Sequence, residues 1–361
     1  MKQNIKYYNE SIKHFIDLST KDATANIAKE HGIIGLTRLN ICMEKLDLDI
    51  SNNFFIALPD FTYTRNALRW NAGFPYGCII NIGQTIPFIP IDFRPNCCGI
   101  IFAEVPNQDY DIEQIQKKYL EIINSYDDIN PNDFNKRNHF FGLYYNAKKN
   151  TYYFLIHGSF SFAKKSLYSE KNDDLMARVC SIDILGTPFH FLKNDDASLY
   201  YNKYLYFEKK SMYYRELILK ELFPEAQILF HRTHEGFMDM GTILLGAYAD
   251  NLPFMCPIML SPEEDLPITN INEPVEISPN KILFCAPHGG GYALSSVISS
   301  EKCNGSANNY IVTYTNKSKM LTNNIIDMPF YYRGDSAYKW CNEYKKGVIV
   351  DKLTPVFNLK I

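Results

Sequence analysis

Between Asn53 and Val105 the chain leaves little choice of fold. Phe54–Leu58, Cys78–Ile82 and Gly99–Val105 are short runs of apolar, β-branched and aromatic residues separated by proline and glycine. Such runs read as strands of a buried sheet. Helical patterns lie around them. Tyr8–Leu18 and Thr24–Leu46 show a modest helical period. Asp111–Tyr126 shows a clear one, with Ile112, Ile115, Tyr119 and Ile122 on one face and Asp111 placed to cap it. Asn202–Phe223 puts Tyr204, Phe207, Ser211, Tyr214, Ile218 and Leu222 on one face, and Pro224 stops it. The pattern predicts an α+β fold, with mixed or antiparallel sheets flanked by helices.

Phe140–Tyr145 and Thr151–Ile156 predict a hairpin around 146–150. Gln227–Phe230, Gly241–Tyr248, Phe254–Leu260, Tyr310–Tyr314 and Pro355–Lys360 are further extended segments. Ile86–Gly99, rich in proline, reads as a shaped loop. The stretch 261–280, rich in Pro, Glu and Asn, reads as an insertion or linker within a single domain spanning 1–361.

Composition narrows the function. The net charge is -3, which argues against a generally basic nucleic-acid binder and leaves room for a local basic groove. There are 9 cysteines, an odd number, with no CxxC pair. No run is apolar or long enough for a signal core or a membrane span. A reducing cytoplasm with free thiols is the expected setting.

The histidines carry the chemistry. His139 precedes the first hairpin strand and His157 follows the second, so antiparallel pairing makes them neighbours. His231 and His234 lie just past a strand, and His288 opens a run of three glycines in FCAPHGGGYALS, Phe284–Ser295. Asp92, Cys97 and Cys98 lie on the Ile86–Gly99 loop. His14 and His31 sit in the first helical segments and read as surface or partly packed histidines, and His190, with no partner in sequence, reads as structural. Thiolate, imidazole and carboxylate together suit a borderline divalent ion such as Mn²⁺ or Zn²⁺.

In their order along the chain these segments resemble the RtcB family of RNA ligases. ALPDFTY (Ala57–Tyr63) is similar to that family's MPDVH segment, IPFIPIDFRPNCCG to its IIPxxVGxDxxCG loop and RNHFF (Arg137–Phe141) to its GNHFxE. LIHGSFSF (Leu155–Phe162) resembles HxGSRG, FHRTHEGFMD (Phe230–Asp239) the HN segment and CAPHGGGYALS the SxPHGAGRxMS segment. SAYKW (Ser336–Trp340) and LTPVFNLK (Leu353–Lys360) resemble the AYK and closing LxPxxxxK segments.

The resemblance implies Mn²⁺- and GTP-dependent joining of an RNA 3′-phosphate or 2′,3′-cyclic phosphate to a 5′-hydroxyl. It implies His288 as the catalytic residue that takes GMP. It also implies one or two metal ions on Asp92, Cys98, His139, His157 and His234, with Asn138 and Lys360 on the nucleotide. Cys97 stands beside Cys98 as an alternative ligand, and Zn²⁺ is the alternative metal.

The departures share a direction. Asp92 precedes Cys98 by six residues rather than three, and Pro95 takes the expected place. Gly142, Ser161, Leu244, Leu245 and Tyr292 stand where the family has acidic or basic groups. Losing several charge-assisted contacts weighs against GTP and RNA. It leaves two other readings: a metalloenzyme with another substrate, or a non-catalytic binding subunit. A helper protein is one source for the missing basic groups.

Overall fold

A computed structural model describes residues 2–83, 86–127, 130, 132–135, 139–168, 174–260, 264–278, 281–294, 297–302, 310–314, 317, 319–322 and 330–359. Its centre is a sheet of eleven strands. In spatial order these are Phe15–Asp17, Phe54–Thr62, Tyr76–Asn81, Thr242–Leu245, Gln227–Asp239, Cys98–Val105, Thr151–Gly158, Phe140–Asn146, Val348–Leu359, Leu266–Ile271 and Phe254–Pro257. The first pair is parallel and the others antiparallel. With helices grouped around this sheet, the fold is α+β.

The sheet has apolar residues on both faces, so it separates two cores. One holds Phe55, Ile80, Ile101, Phe141 and Phe154 with the helices. The other holds Ile56, Ile79, Ile100, Leu155 and Leu244 against the strands Ala247–Asp250 and Lys281–Pro287. Alternate residues of each strand face opposite cores, as a strand's period of two requires. Burial on both faces explains why these runs are apolar throughout rather than alternating.

The helix Ala23–Glu44 is capped by Asp22, whose carboxylate accepts from the Ala25 N–H at 2.9 Å. The longest helix, Asn194–Leu222, begins eight residues before the predicted Asn202. It crosses the helical face of the sheet and buries Tyr200, Tyr204, Ile218 and Arg215.

Several expectations need correction. The first helix is Lys2–Lys13, and the residues after it turn into the strand Phe15–Asp17 because Phe15 and Phe55 pair in register and stack. Gly241–Tyr248 is two strands, broken at Gly246 with φ of 72°. The supposed linker 261–280 supplies Leu266–Ile271 to the interior of the large sheet and Val275–Ser278 to a smaller one. The Ile86–Gly99 loop contains a short strand, Phe88–Pro90, paired with Thr187–Lys193, then a 3-10 turn at Ile91–Phe93. None of the described helices is long and apolar enough to cross a membrane.

Candidate metal centre

Four neighbouring segments of the sheet bring the site together. Cys98 opens one strand. On one side its strand pairs with Thr151–Gly158, with Ile100 opposite His157; His157 in turn lies opposite Phe140, the residue after His139. On the other side the strand pairs with Gln227–Asp239. There Thr233 faces Gly99 and Glu235 faces Cys98, so His234 between them is the extra residue of a bulge. A bulge re-aims a side chain out of the normal alternation. Here it places His234 beside Cys98.

The Cys98 Sγ lies 3.3 Å from Nε2 of His139 and 3.3 Å from Nε2 of His157. Donor atoms of Cys98, His157 and His234 all fall within 4.8 Å of one another, and all three residues are buried. The rings of His157 and His234 are 5.1 Å apart, and those of His234 and His288 4.6 Å.

The fit to a metal rests on His234. Both of its ring nitrogens are buried, and neither has a hydrogen-bond partner. Burial of an unsatisfied polar atom is costly, and a cation is what such a nitrogen can bind. Desolvation, then the neighbouring His288, His157 and Arg215, hold His234 well below the usual histidine range, so it is neutral, the form that ligates. Burial pushes the Cys98 thiol far up, so a metal must displace its proton on binding. One sulfur and two or three imidazoles match the donor set of a tetrahedral Zn²⁺-type site with an open position.

His288 follows the strand Lys281–Pro287. Its Nδ1 is 2.7 Å from Oδ2 of Asp60, a fully buried carboxylate on Phe54–Thr62. The glycines after it are forced. Gly291 has φ of 68°, and a Cβ there would lie 2.4 Å from the Asp60 carbonyl oxygen. The Met259 N–H bonds the His288 carbonyl at 3.0 Å, and the Ser336 hydroxyl bonds that of Gly289 at 2.6 Å. The imidazole is therefore held through Nδ1, and the backbone that carries it is bonded on both sides.

Asp92 is not among the converging donors. His190 engages both of its oxygens, through Nδ1 at 3.0 Å and its backbone N–H at 3.0 Å. The 3-10 turn at Ile91–Phe93 carries Asp92 to His190, so the partner that His190 lacked in sequence is Asp92. Cys97 adopts φ of 59° and packs into the helical core instead of joining the group. His231 is likewise outside the group, and burial lowers it to about 3. Asn138 and Lys360 lie outside the described residues.

Sequence reasoning missed four basic side chains. Arg65, Arg69, Arg94 and Lys164 line a cavity of about 480 Å³ that reaches Cys98 and His139. Arg69 is buried and paired with Glu235, and its Nη2 donates to the Arg94 carbonyl at 2.7 Å. No carboxylate among the described residues forms an ion pair with Arg65, Arg94 or Lys164. Arg65 lies over the rings of Tyr292 and Phe330, each 5.0 Å away. Such a cavity has an excess of positive charge. On the His288 side, a second pocket is lined by Tyr76, Phe140, Tyr144, Leu260, Tyr292, Tyr332 and the glycines. Glu264 is the carboxylate of its lining, and no Lys or Arg is among its described residues.

No family model and no curated protein matches this chain.

Proposed function

We propose that this chain is a metal-dependent enzyme of the RtcB type that acts on phosphate-bearing ends, RNA 3′-phosphate or 2′,3′-cyclic phosphate ends in the first place. The observation that carries the reading is the buried Cys98–His157–His234 group with His288 locked beside it by Asp60. Cys98, His157 and His234 would hold the ion, with His139 in reach of the same sulfur. When bound, a divalent ion there supplies Lewis-acid polarisation of a phosphoryl oxygen.

The chain's own residues do the rest. Asp60 holds the His288 proton on Nδ1 and leaves the Nε2 lone pair free, the arrangement of an oriented nucleophile. In the ligase chemistry Nε2 attacks the α-phosphorus of GTP, the N–P bond forms and pyrophosphate leaves. The cavity with Arg65, Arg94 and Lys164 suits the phosphate end of the acceptor, since charge-assisted contacts bind oxyanions best. These groups supply basic charge on the cavity side of the site, away from the family's usual positions. Mn²⁺ and Zn²⁺ both suit the donors, and free thiols suit the cytoplasm.

One observation favours a second reading. The pocket around His288 offers no described Lys or Arg for a triphosphate. A metal-dependent phosphoryl transfer without GTP, on the cavity side alone, accommodates that. The test is incubation with α-labelled GTP and Mn²⁺ or Zn²⁺. Acid-labile label that vanishes in His288→Ala supports the ligase. No label, together with phosphate-induced thermal stabilisation that is lost in Arg94→Ala/Lys164→Ala, supports the second reading. Neither signal at any metal concentration sinks both.

A further inference from the structure

Arg215 is a charged side chain near the site with no exposed surface. It reaches from the long helix to the strands that carry two ligands. Its Nη1 donates to the carbonyls of Cys97 and Gly158, each at 3.2 Å, and to the Ser211 hydroxyl at 2.8 Å. Those carbonyls belong to the residue before Cys98 and the residue after His157. One guanidinium thus ties together the backbones behind both ligands. A Cβ on Gly99 would lie 2.5 Å from the Arg232 carbonyl oxygen and 2.8 Å from Nη2 of Arg215, so the residue after Cys98 has no room for a side chain.

The charge itself is unbalanced. Nε and Nη2 are buried without a hydrogen-bond partner, and no carboxylate among the described residues forms an ion pair with Arg215. The nearby carboxyl Glu208 is pushed up by burial and already accepts from the Tyr204 hydroxyl at 2.9 Å. A buried cation without a paired anion is expensive. Of the groups whose negative form acts on its charge, Cys98 comes first, ahead of Cys97 and Glu208.

We propose that Arg215 is the positioning and charge-balancing residue of the metal centre, holding the Cys98 and His157 strands in register and compensating the sulfur anion that Cys98 presents to the ion. The inference rests on the metal-centre reading above. Residues that orient ligands in this way typically change metal affinity 10–100-fold when replaced. The fixed charge also leaves the loaded centre net positive, which favours an oxyanion at the open position.

The experiment titrates Co²⁺ into the full-length metal-free protein and reads affinity and the sulfur-to-cobalt charge-transfer absorption. Arg215→Gln is expected to weaken Co²⁺ binding roughly 10–100-fold and to reduce that band. Arg215→Lys, which keeps the charge, is expected to bind within about tenfold of wild type. In a Cys98→Ser background, Arg215→Gln should cost little more, because the partner is gone. Wild-type affinity and band in Arg215→Gln, or an equal loss with and without Cys98, overturns the proposal. If Arg215→Gln does not fold, a loss beyond about 100-fold in Arg215→Lys overturns the charge role by itself. Wild-type protein that binds no Co²⁺ at all is the separate failure of the metal-centre reading, and takes this proposal with it.

Discussion

Replacing His234 with leucine separates a ligand from a core histidine by the sign of its effect. In the metal-free protein His234 buries two polar nitrogens without partners. Each such atom costs about 1–3 kcal/mol. Leucine removes both and is close in volume, so repacking should cost under about 1.5 kcal/mol. Metal-free His234→Leu is therefore expected to be about 0.5–6 kcal/mol more stable than wild type. For a chain of 361 residues, 1 kcal/mol moves the midpoint by about 1.3 °C, so the rise is about 1–8 °C. Adding Zn²⁺ or Mn²⁺ at a hundredfold excess over Kd should stabilise wild type by about 2.7 kcal/mol and the variant hardly at all. The assay is thermal unfolding of chelator-stripped protein, with and without metal. A variant that is less stable without metal, or that metal still stabilises as it does wild type, refutes the reasoning. In that case His234 is packed and satisfied in solution, and the group does not need an ion.

Two further outcomes test the scaffold. Gly291→Ala places a Cβ 2.4 Å from the Asp60 carbonyl oxygen at a φ of 68°, so it should lose at least about 1–2 kcal/mol in denaturant unfolding. Burial raises the Asp22 carboxyl, but the Arg333 fork, the Ala25 N–H and the Thr20 hydroxyl outweigh it and hold it below the usual range. A folded pKa below the unfolded one stabilises above the usual carboxylate range and ceases to do so as pH falls through the folded value. Asp22→Asn should therefore cost about 1–2 kcal/mol near neutral pH, kept small by the part of the carboxylate open to water, with the gap to wild type closing under acid.

Much of the site was legible because hairpin pairing is local. His139 and His157 flank a hairpin, so their meeting follows from strand geometry alone, and Cys98 meets His157 through the next strand in the sheet. His234 needed a bulge, which no periodicity displays. Asp60 was visible as an acidic residue inside an apolar run, a sign of a buried partner, but only the sheet-to-sheet contact identifies that partner as His288. The Asp92 expectation failed because spacing along a loop says nothing about where the loop folds back. The basic cavity escaped notice for a similar reason. Arg65, Arg94 and Lys164 come from three separate segments and become one electrostatic feature only in the folded chain. The strands within 261–280 were obscured by prolines, which this sheet tolerates in Leu266–Ile271 and Val348–Leu359.

The placement of Val348–Leu359 has a consequence for how the chain is made. This strand lies between Phe140–Asn146 and Leu266–Ile271, about two hundred and about eighty residues upstream. Until it leaves the ribosome, two long edges with unpaired amides wait in the nascent chain, one of them adjoining the strand that carries His157. Open edges of this kind recruit other chains. Stalled or prematurely terminated synthesis should therefore yield aggregates rather than a partly active fragment, and chaperone engagement should end only when this strand inserts and zips the two halves together.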